Sequence, residues 1–497
     1  MQDRSAKYPG RVKLLPVAGQ ENIYDMTRAD DPDDTGTPFN KRTMLQDSTA
    51  QLLKLPLANP FVDDALRHMV DRIVPIGTIR TSPAQSLGDA WLKCDGSMVT
   101  FENYPQLCSI LKNTSGSTWA QNAFPSTYTS DIDMVTEPVY FDGKWIVAIQ
   151  YIAESSNGYS PYTQNIKILS TESLNGTWVE EKLITRGVQY NPDASIALTA
   201  SDNYCVLAFA ANNHSGQSHD EDYIKFSVRE PGNATWTEID PTNVKRAYGY
   251  SEVAFRGFDH CGDRFAILVV CSYTGSSDSA FIISSDTPKI ANSWEVKTSL
   301  DKTANKLSCA NSKWFVQDDS ENKIKWADNM SLFDFKDEDY LRSYFYAPWS
   351  KVVFYSGMYR TFSVGETTKD SKIHQTADLS SWQTVELNED FYAGDDVAND
   401  AYAAATENMM TIATMKKIAT TANPSDGVSV ASIPSVDVCG LAMRGMTAVA
   451  STKTGILYHD YTYDSRLLPT ISLSDDTTTF IKAKNELDVF EAQAGGD

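Results

Sequence analysis

Positive charge is scarce in this chain: 43 Lys and Arg stand against 65 Asp and Glu, a formal charge of −22. A surface of that sign repels phosphate backbones and anionic lipid heads, so no nucleic-acid partner and no membrane insertion are expected. Long apolar runs are missing too. The longest, Phe265 to Cys271, is far short of the roughly 20 residues that a spanning helix needs. The opening MQDRSAKYPG carries charges with no apolar stretch behind them, which does not read as a secretory signal. Cysteine is sparse and odd in number: residues 94, 108, 205, 261, 271, 309 and 439. None forms CxxC and most sit in apolar runs, so free buried thiols from a reducing compartment are expected. Walker, GxGxxG, GxSxG and HExxH signatures are absent. His214 and His219 lie five apart in a polar loop, and Asp318, Asp319 and Glu321 form a short acidic run. Both read as solvated polar sequence. No catalytic residue, metal site or cofactor is therefore expected.

Tyr, Thr, Ser, Val and Trp are plentiful, and Gly and Pro recur throughout. That texture predicts a mainly β protein. At 497 residues one core is too few. Residues 1–57 are polar and proline-marked, an extended arm with a short helix around Leu52 and Leu53 capped by Asp47-Ser48-Thr49. A second short helix is expected over Val62 to Ile73, with Leu66, Met69, Val70 and Ile73 on one stripe. Such a segment cannot bury enough surface alone and must dock on something.

From about Ile132 a unit recurs. A turn leads into an aromatic- or Met-headed strand: FDGKW, SDNYC, CGDRF, ANSKW, YSGMY, ENMMT, MRGMT, with heads Trp145, Tyr204, Phe265, Trp314, Tyr359, Met410 and Met446. In five repeats a later strand opens with an aromatic: Trp178, Trp236, Trp294, Phe333 or Trp382. A period near fifty with four short strands predicts a β-propeller, because a four-stranded sheet buries both faces only by stacking on its neighbours. Seven beats are countable. The last two are degenerate and closely spaced, so six blades is an alternative.

Three stretches resemble known families. Pro75-Ile76-Gly77-Thr78-Ile79, Ala90-Trp91-Leu92-Lys93-Cys94-Asp95-Gly96 and Tyr104-Pro105-Gln106-Leu107 together resemble the phage tail-collar family. Its usual Leu-Pro-Asp-Leu-Arg-Gly continuation is replaced here by Phe124-Pro125-Ser126-Thr127-Tyr128. Tyr8-Pro9-Gly10-Arg11-Val12, Gly36-Thr37-Pro38 and Asn40-Lys41 resemble the N-terminal segments of tailed-phage fibre and baseplate proteins. Ser170 to Trp178, STESLNGTW, resembles the Asp-box of sialidase-like propellers, with Glu172 in place of the Asp. Ser284 to Trp294 and Thr376 to Trp382 are looser versions. In that family the box staples a hairpin turn and is not catalytic.

These resemblances imply a virion tail protein, made in the bacterial host cytoplasm and built of three parts: an anchoring arm (1–57), a short helix plus collar-like block (58–125) and a propeller (126–497). The collar resemblance implies a homotrimer. The expected partners are tail or baseplate proteins, through residues 1–57, and a host cell-surface glycan or protein. The connections between second and third strands, and those between blades, are rich in Ser, Gly, Asn, Tyr and His, a mixture suited to adaptable polar contact around rigid aromatic anchors. The expected binding residues are Tyr159, Tyr162, His214, Tyr248, Tyr250, Tyr273 and Trp349. A glycosidase or depolymerase acting on host polysaccharide, and a purely structural tail or baseplate protein, are the alternatives.

Overall fold

The computed structural model describes residues 5–6, 12–16, 24–28, 32–34, 76–82, 84, 86–87, 90–111, 118–128, 132–153, 162–188, 196–211, 223–241, 244, 250–273, 279–300, 303–318, 323–328, 336–337, 349–364, 371–389, 391, 401–407, 409–421, 424, 428–431, 433–434, 437–471 and 478–484. The chain forms two compact units: Met1–Gly96 with Pro469–Asp497, and Ser97–Leu468.

In the first unit, Val12–Pro16 pairs with Tyr24–Arg28 as a hairpin, and Ser5–Ala6 pairs with Pro32–Asp34. The described part of the expected arm is thus paired strand; the helices expected near Leu52 and over Val62 to Ile73 lie outside the described residues. Further along, Thr478–Lys482 lies between Ile79–Ser82 and Trp91–Lys93 in a three-stranded sheet. Trp91 packs there with Ala90 and Phe480. The two strands read from the PIGTI and WLKCDG words are present, the first beginning at Ile79. The strand that joins them comes from the far end of the sequence. Of the stretch expected to form the propeller, the described residues 469–471 and 478–484 fall in the first unit.

The second unit opens with Met98–Thr100, paired to Ser465–Leu467, and the helix Pro105–Ile110. Pro105 sits in the first helical turn, where a missing N–H costs nothing, and Leu107 and Cys108 are buried. Seven antiparallel sheets follow among the described residues, each a meander of four strands, the first with one strand more. Their innermost strands are Val139–Phe141, Ile196–Ala200, Tyr250–Cys261, Ala304–Ala310, Val353–Tyr355, Tyr402–Ala405 and Val438–Arg444. Every repeat head from Trp145 to Met446 stands within one residue of the start of a second strand. Trp178, Trp236, Trp294 and Trp382 each immediately precede a fourth strand.

Cores form between sheets. Phe141, Ile166, Phe209 and Trp236 join sheets one and two. The rings of Phe226 and Trp294 stack 3.6 Å apart between sheets two and three. Leu268 and Trp314 link three to four, Phe315 and Tyr359 four to five, and Phe362 and Met410 five to six. Trp145, Trp178, Val449 and Ile456 join sheet seven to sheet one. Thr411 of sheet six reaches Met443 of sheet seven through Oγ1 and Sδ, so the chain of interfaces returns to its start, a propeller-like ring. Closure is covalently out of order: the fourth strand of sheet seven is Ala120–Ala123, which precedes sheet one in the sequence. Asn122 Nδ2 also donates to Gly176 O, 2.8 Å, tying that strand to the Asp-box-like turn of sheet one. That turn is stapled from within by Gly176 N to Ser173 O and by Thr171 Oγ1 to Ser173 O.

Cysteine departs from expectation. Cys261 and Cys309 are joined as a disulfide between the first strands of sheets three and four, Cα atoms 5.8 Å apart. Their separation of 48 residues is one repeat, so equivalent strand ends meet without any local CxxC. Cys94, Cys108, Cys205 and Cys271 are free and buried. Burial pushes the Cys108 thiol up to about 11, which keeps it protonated and unreactive.

The closing strand passes so near Gly455 that a Cβ there would lie 2.2 Å from Asn122 O. Gly455→Ala is expected to lose about 1–3 kcal/mol through displacement of that backbone. Gly262→Ala, where a Cβ meets nothing within 4 Å at φ +63, should lose only the backbone term of ~1 kcal/mol. Denaturant midpoints of the two variants check this, and equal losses would refute the closure argument.

Candidate functional site: the axial cavity

The seven first strands do more than start each sheet. Their ends, with the turns into the second strands, line one cavity of about 710 Å³. The turns are tight. Asp142-Gly143, Asn311-Ser312 and Ser356-Gly357 have both central residues at positive φ, the two-residue hairpin whose twist matches the flanking strands. The recurrent turn words FDG, SDN, ANS and MRG thus form its rim.

Three charged groups converge from non-adjacent sheets. Lys351, just before the first strand of sheet five, donates through Nζ to Glu137 Oε2 of sheet one at 2.6 Å. Burial would lower the Lys351 ammonium; the carboxylates of Glu137 and of Asp259, in sheet three, outweigh it and hold its pKa above the ordinary lysine value. Asp259 accepts from two backbone groups, His260 N at 2.8 Å and Cys309 N at 2.9 Å. Asp142 is committed outward. Its Oδ2 accepts from Arg229 at 2.8 Å and from Gly232 N at 3.1 Å. Arg229, 4% exposed, also binds Glu181 in bidentate fashion, and Glu181 accepts from Trp236 Nε1. This clasp joins sheets one and two and holds Asp142 through Oδ2.

Two rim groups are held but not neutralised. Arg444 lies with its guanidinium carbon 3.3 Å from the Tyr140 ring centroid. Asp202 sits in a turn fixed by Ser201 Oγ, which accepts from Asn203 N and Tyr204 N, and by Asn203 Nδ2 donating to Asp263 Oδ1 of the next sheet. Neither Asp202 nor Arg444 has an ion-pair partner among the described residues. Among the described residues lining this cavity, Arg444 is the one arginine. Among the described residues no group of three His, Cys, Asp or Glu side chains is placed to hold a metal ion.

The residues expected to bind lie elsewhere. Tyr159, His214 and Tyr248 fall outside the described residues. Tyr162, Tyr250 and Tyr273 are described by their backbones. Tyr250 and Tyr273 are register partners, at the opposite end of their strands from His260 and the cavity rim. Tyr162 pairs with Val188, likewise at the far end of sheet one from Asp142. Trp349 is corrected. It is 4% exposed, bridges to Ser363, and packs between sheets four and five with its ring 4.7 Å from that of His374. A ring so enclosed offers no face to a ligand. The rim residues Asp202 and Arg444 were missed, though the signal was in view: both occupy the recurrent turn position.

No family model matches the chain, and no curated protein matches it. Among solved structures it is similar to a prolyl endopeptidase (10% identity, TM-score 0.40, 72% of this chain and 52% of that one). It is also similar to a sialidase of Trypanosoma rangeli (11%, 0.34, 80% and 61%) and to a Hadza microbial sialidase (10%, 0.36, 69% and 66%). The chain spans less than two thirds of each of these proteins.

The neighbour of Trp349 generates a pH prediction. Burial, with a smaller contribution from Lys372, pushes the His374 imidazole down to about 3 from its ordinary 6.5. The neutral ring is bonded at Nε2 to Ser363 Oγ and at Nδ1 to Thr384 Oγ1, both 3.0 Å. The unfolded chain takes up this proton below about 6.5 and the folded chain resists it. Stability is therefore full above 6.5 and declines as pH falls toward 3, by up to about 1.4 kcal/mol per pH unit. Unfolding free energy measured against pH should fall more steeply for the natural chain than for His374→Gln; parallel profiles would count against it.

Proposed function

We propose that this chain is a tailed-phage virion protein, a tail-fibre or baseplate-associated receptor-binding protein that attaches to a glycan on the bacterial surface. What supports the reading is one juxtaposition. The collar-like words, with Trp91 in a core and Pro105 opening a helix, stand in the same chain as a ring of seven small sheets. Residues 1–57 join the tail, the chain assembles as a homotrimer, and the ring is the part that meets the host.

The meander topology supports where contact is made. Every second strand starts at the cavity rim and runs away from it, so Ala153, Ala211 and Tyr273 end at the other side, where Tyr162, Tyr223 and Ser279 begin the third strands. Those strand ends share one face. The backbone pairing of Tyr250 with Tyr273 brings two of the proposed anchors to adjacent strands there. Attachment needs no covalent step. Three copies per fibre, and several fibres per particle, convert weak single contacts into firm adhesion.

The test is the triple change Tyr159→Ala, Tyr162→Ala and Tyr273→Ala in the full chain. Each lost anchor should cost on the order of 2 kcal/mol, so binding to host cells should vanish while melting is unchanged. Retained binding refutes the assignment of this face. Incubation with host polysaccharide is the companion measurement: released oligosaccharide would replace adhesion by hydrolysis. A monomer in sedimentation would remove the trimer, and particles that still incorporate a chain lacking residues 1–57 would remove the anchor.

A further inference from the structure

We propose that the axial cavity is a second ligand site, separate from the adhesive face, and that it takes a neutral hydroxylated ligand of mono- or disaccharide size. This does not rest on the adhesion reading, since the two sites lie at opposite ends of the same strands.

Size is the first argument. A space of about 710 Å³ falls in the range of ligand pockets and is far more than one ordered water needs. The charge pattern sets the class. Glu137 and Asp259 are spent on Lys351 and on backbone N–H groups, and Asp142 on Arg229. What remains available is one carboxylate, Asp202, one guanidinium, Arg444, and His260. The His260 ring holds Thr199 Oγ1 through Nδ1 at 3.3 Å, and its Nε2 has no partner among the described residues. A carboxylate ligand would suit Arg444 but face Asp202 and a chain of charge −22. An ammonium ligand would suit Asp202 but face Arg444. A sugar hydroxyl both donates and accepts, so a polyol answers both groups without importing charge.

Pre-organisation is the second argument. Tyr140 fixes the guanidinium by its face, leaving the N–H edge free, and Tyr140 is itself set edge-on against Trp145, centroids 5.3 Å apart. The Asp202 turn is pinned on both sides, as described above. Groups held this way lose little freedom on binding, which is where weak sugar contacts gain affinity.

The experiment is ligand-observed saturation-transfer NMR on the full chain. The probes are methyl α-glucoside and methyl α-galactoside, with glucuronate and glucosamine as charged counterparts. Transfer to a neutral glycoside is expected, weakened about tenfold by either Asp202→Asn or Arg444→Gln, the loss of one hydrogen bond to a charged group. Melting curves accompany both variants; should one of them unfold, the other decides. Absence of transfer to both neutral glycosides overturns the proposal. So does transfer indifferent to both variants, which would put the sugar elsewhere, and so does binding confined to glucosamine or to glucuronate, which would give the cavity an ionic ligand.

Discussion

Ring closure is the constraint on which the large unit depends. A four-stranded sheet has two apolar faces and can hide both only between two neighbours. A row of seven would leave its end sheets half bare, with apolar side chains such as Trp145 on one side and Val449 on the other facing water. Joining sheet seven to sheet one removes both bare faces at once. The join is made by Ala120–Ala123, a strand from upstream of the first sheet, hydrogen-bonded to Gly455–Asp460 from the last. The two ends of a stretch of more than three hundred residues are thereby fixed to each other, and unravelling from either end must first break that sheet.

Closure also dictates what happens at the axis. Seven first strands brought round one line crowd their inner ends, and the chain answers with glycine. A Cβ at Gly257 would strike the Leu307 backbone, and one at Gly440 the backbone of Glu137. Charge is drawn in as well. Lys351, Glu137 and Asp259 come from sheets five, one and three, and together they cross the axis. Exposed ion pairs add little stability, but this one couples sheets that share no apolar core. Its geometry specifies which strands face each other across the ring more than it strengthens the fold.

Much of this was legible in the sequence because a ring repeats its physics. Each second strand opens near a large side chain, and the fourth strands of sheets one, two, three and five follow a Trp, so heads and tryptophans fall at equivalent places. Sheet six, with strands of two to four residues, explains the shortened last beat that made six blades an alternative. What was illegible was non-local. Thr478–Lys482 has the texture of any strand here, and its partners lie some four hundred residues earlier. Cys261 and Cys309 meet only because adjacent first strands meet. Trp349 was read as an exposed anchor because it stands in a polar, aromatic-rich stretch. Its burial depends on Ser363 and His374, which the chain supplies later.

The two ends of the ring differ in what they can vary. At the rim, two-residue turns are bound by φ: Asp142, Asn311, Ser312 and Ser356 hold left-handed conformations that little but Gly, Asn, Asp or Ser tolerates. Backbone change there would misalign the second strand and, through it, an inter-sheet core. Side chains that merely project from the rim carry no such burden. Asp202 and Arg444 can exchange charge or size without moving a strand. At the other end the ladders stop at Ala153 and Tyr162 and at Ala211 and Tyr223. The rim of the ring thus combines a backbone fixed by its turns with side chains that can change one residue at a time.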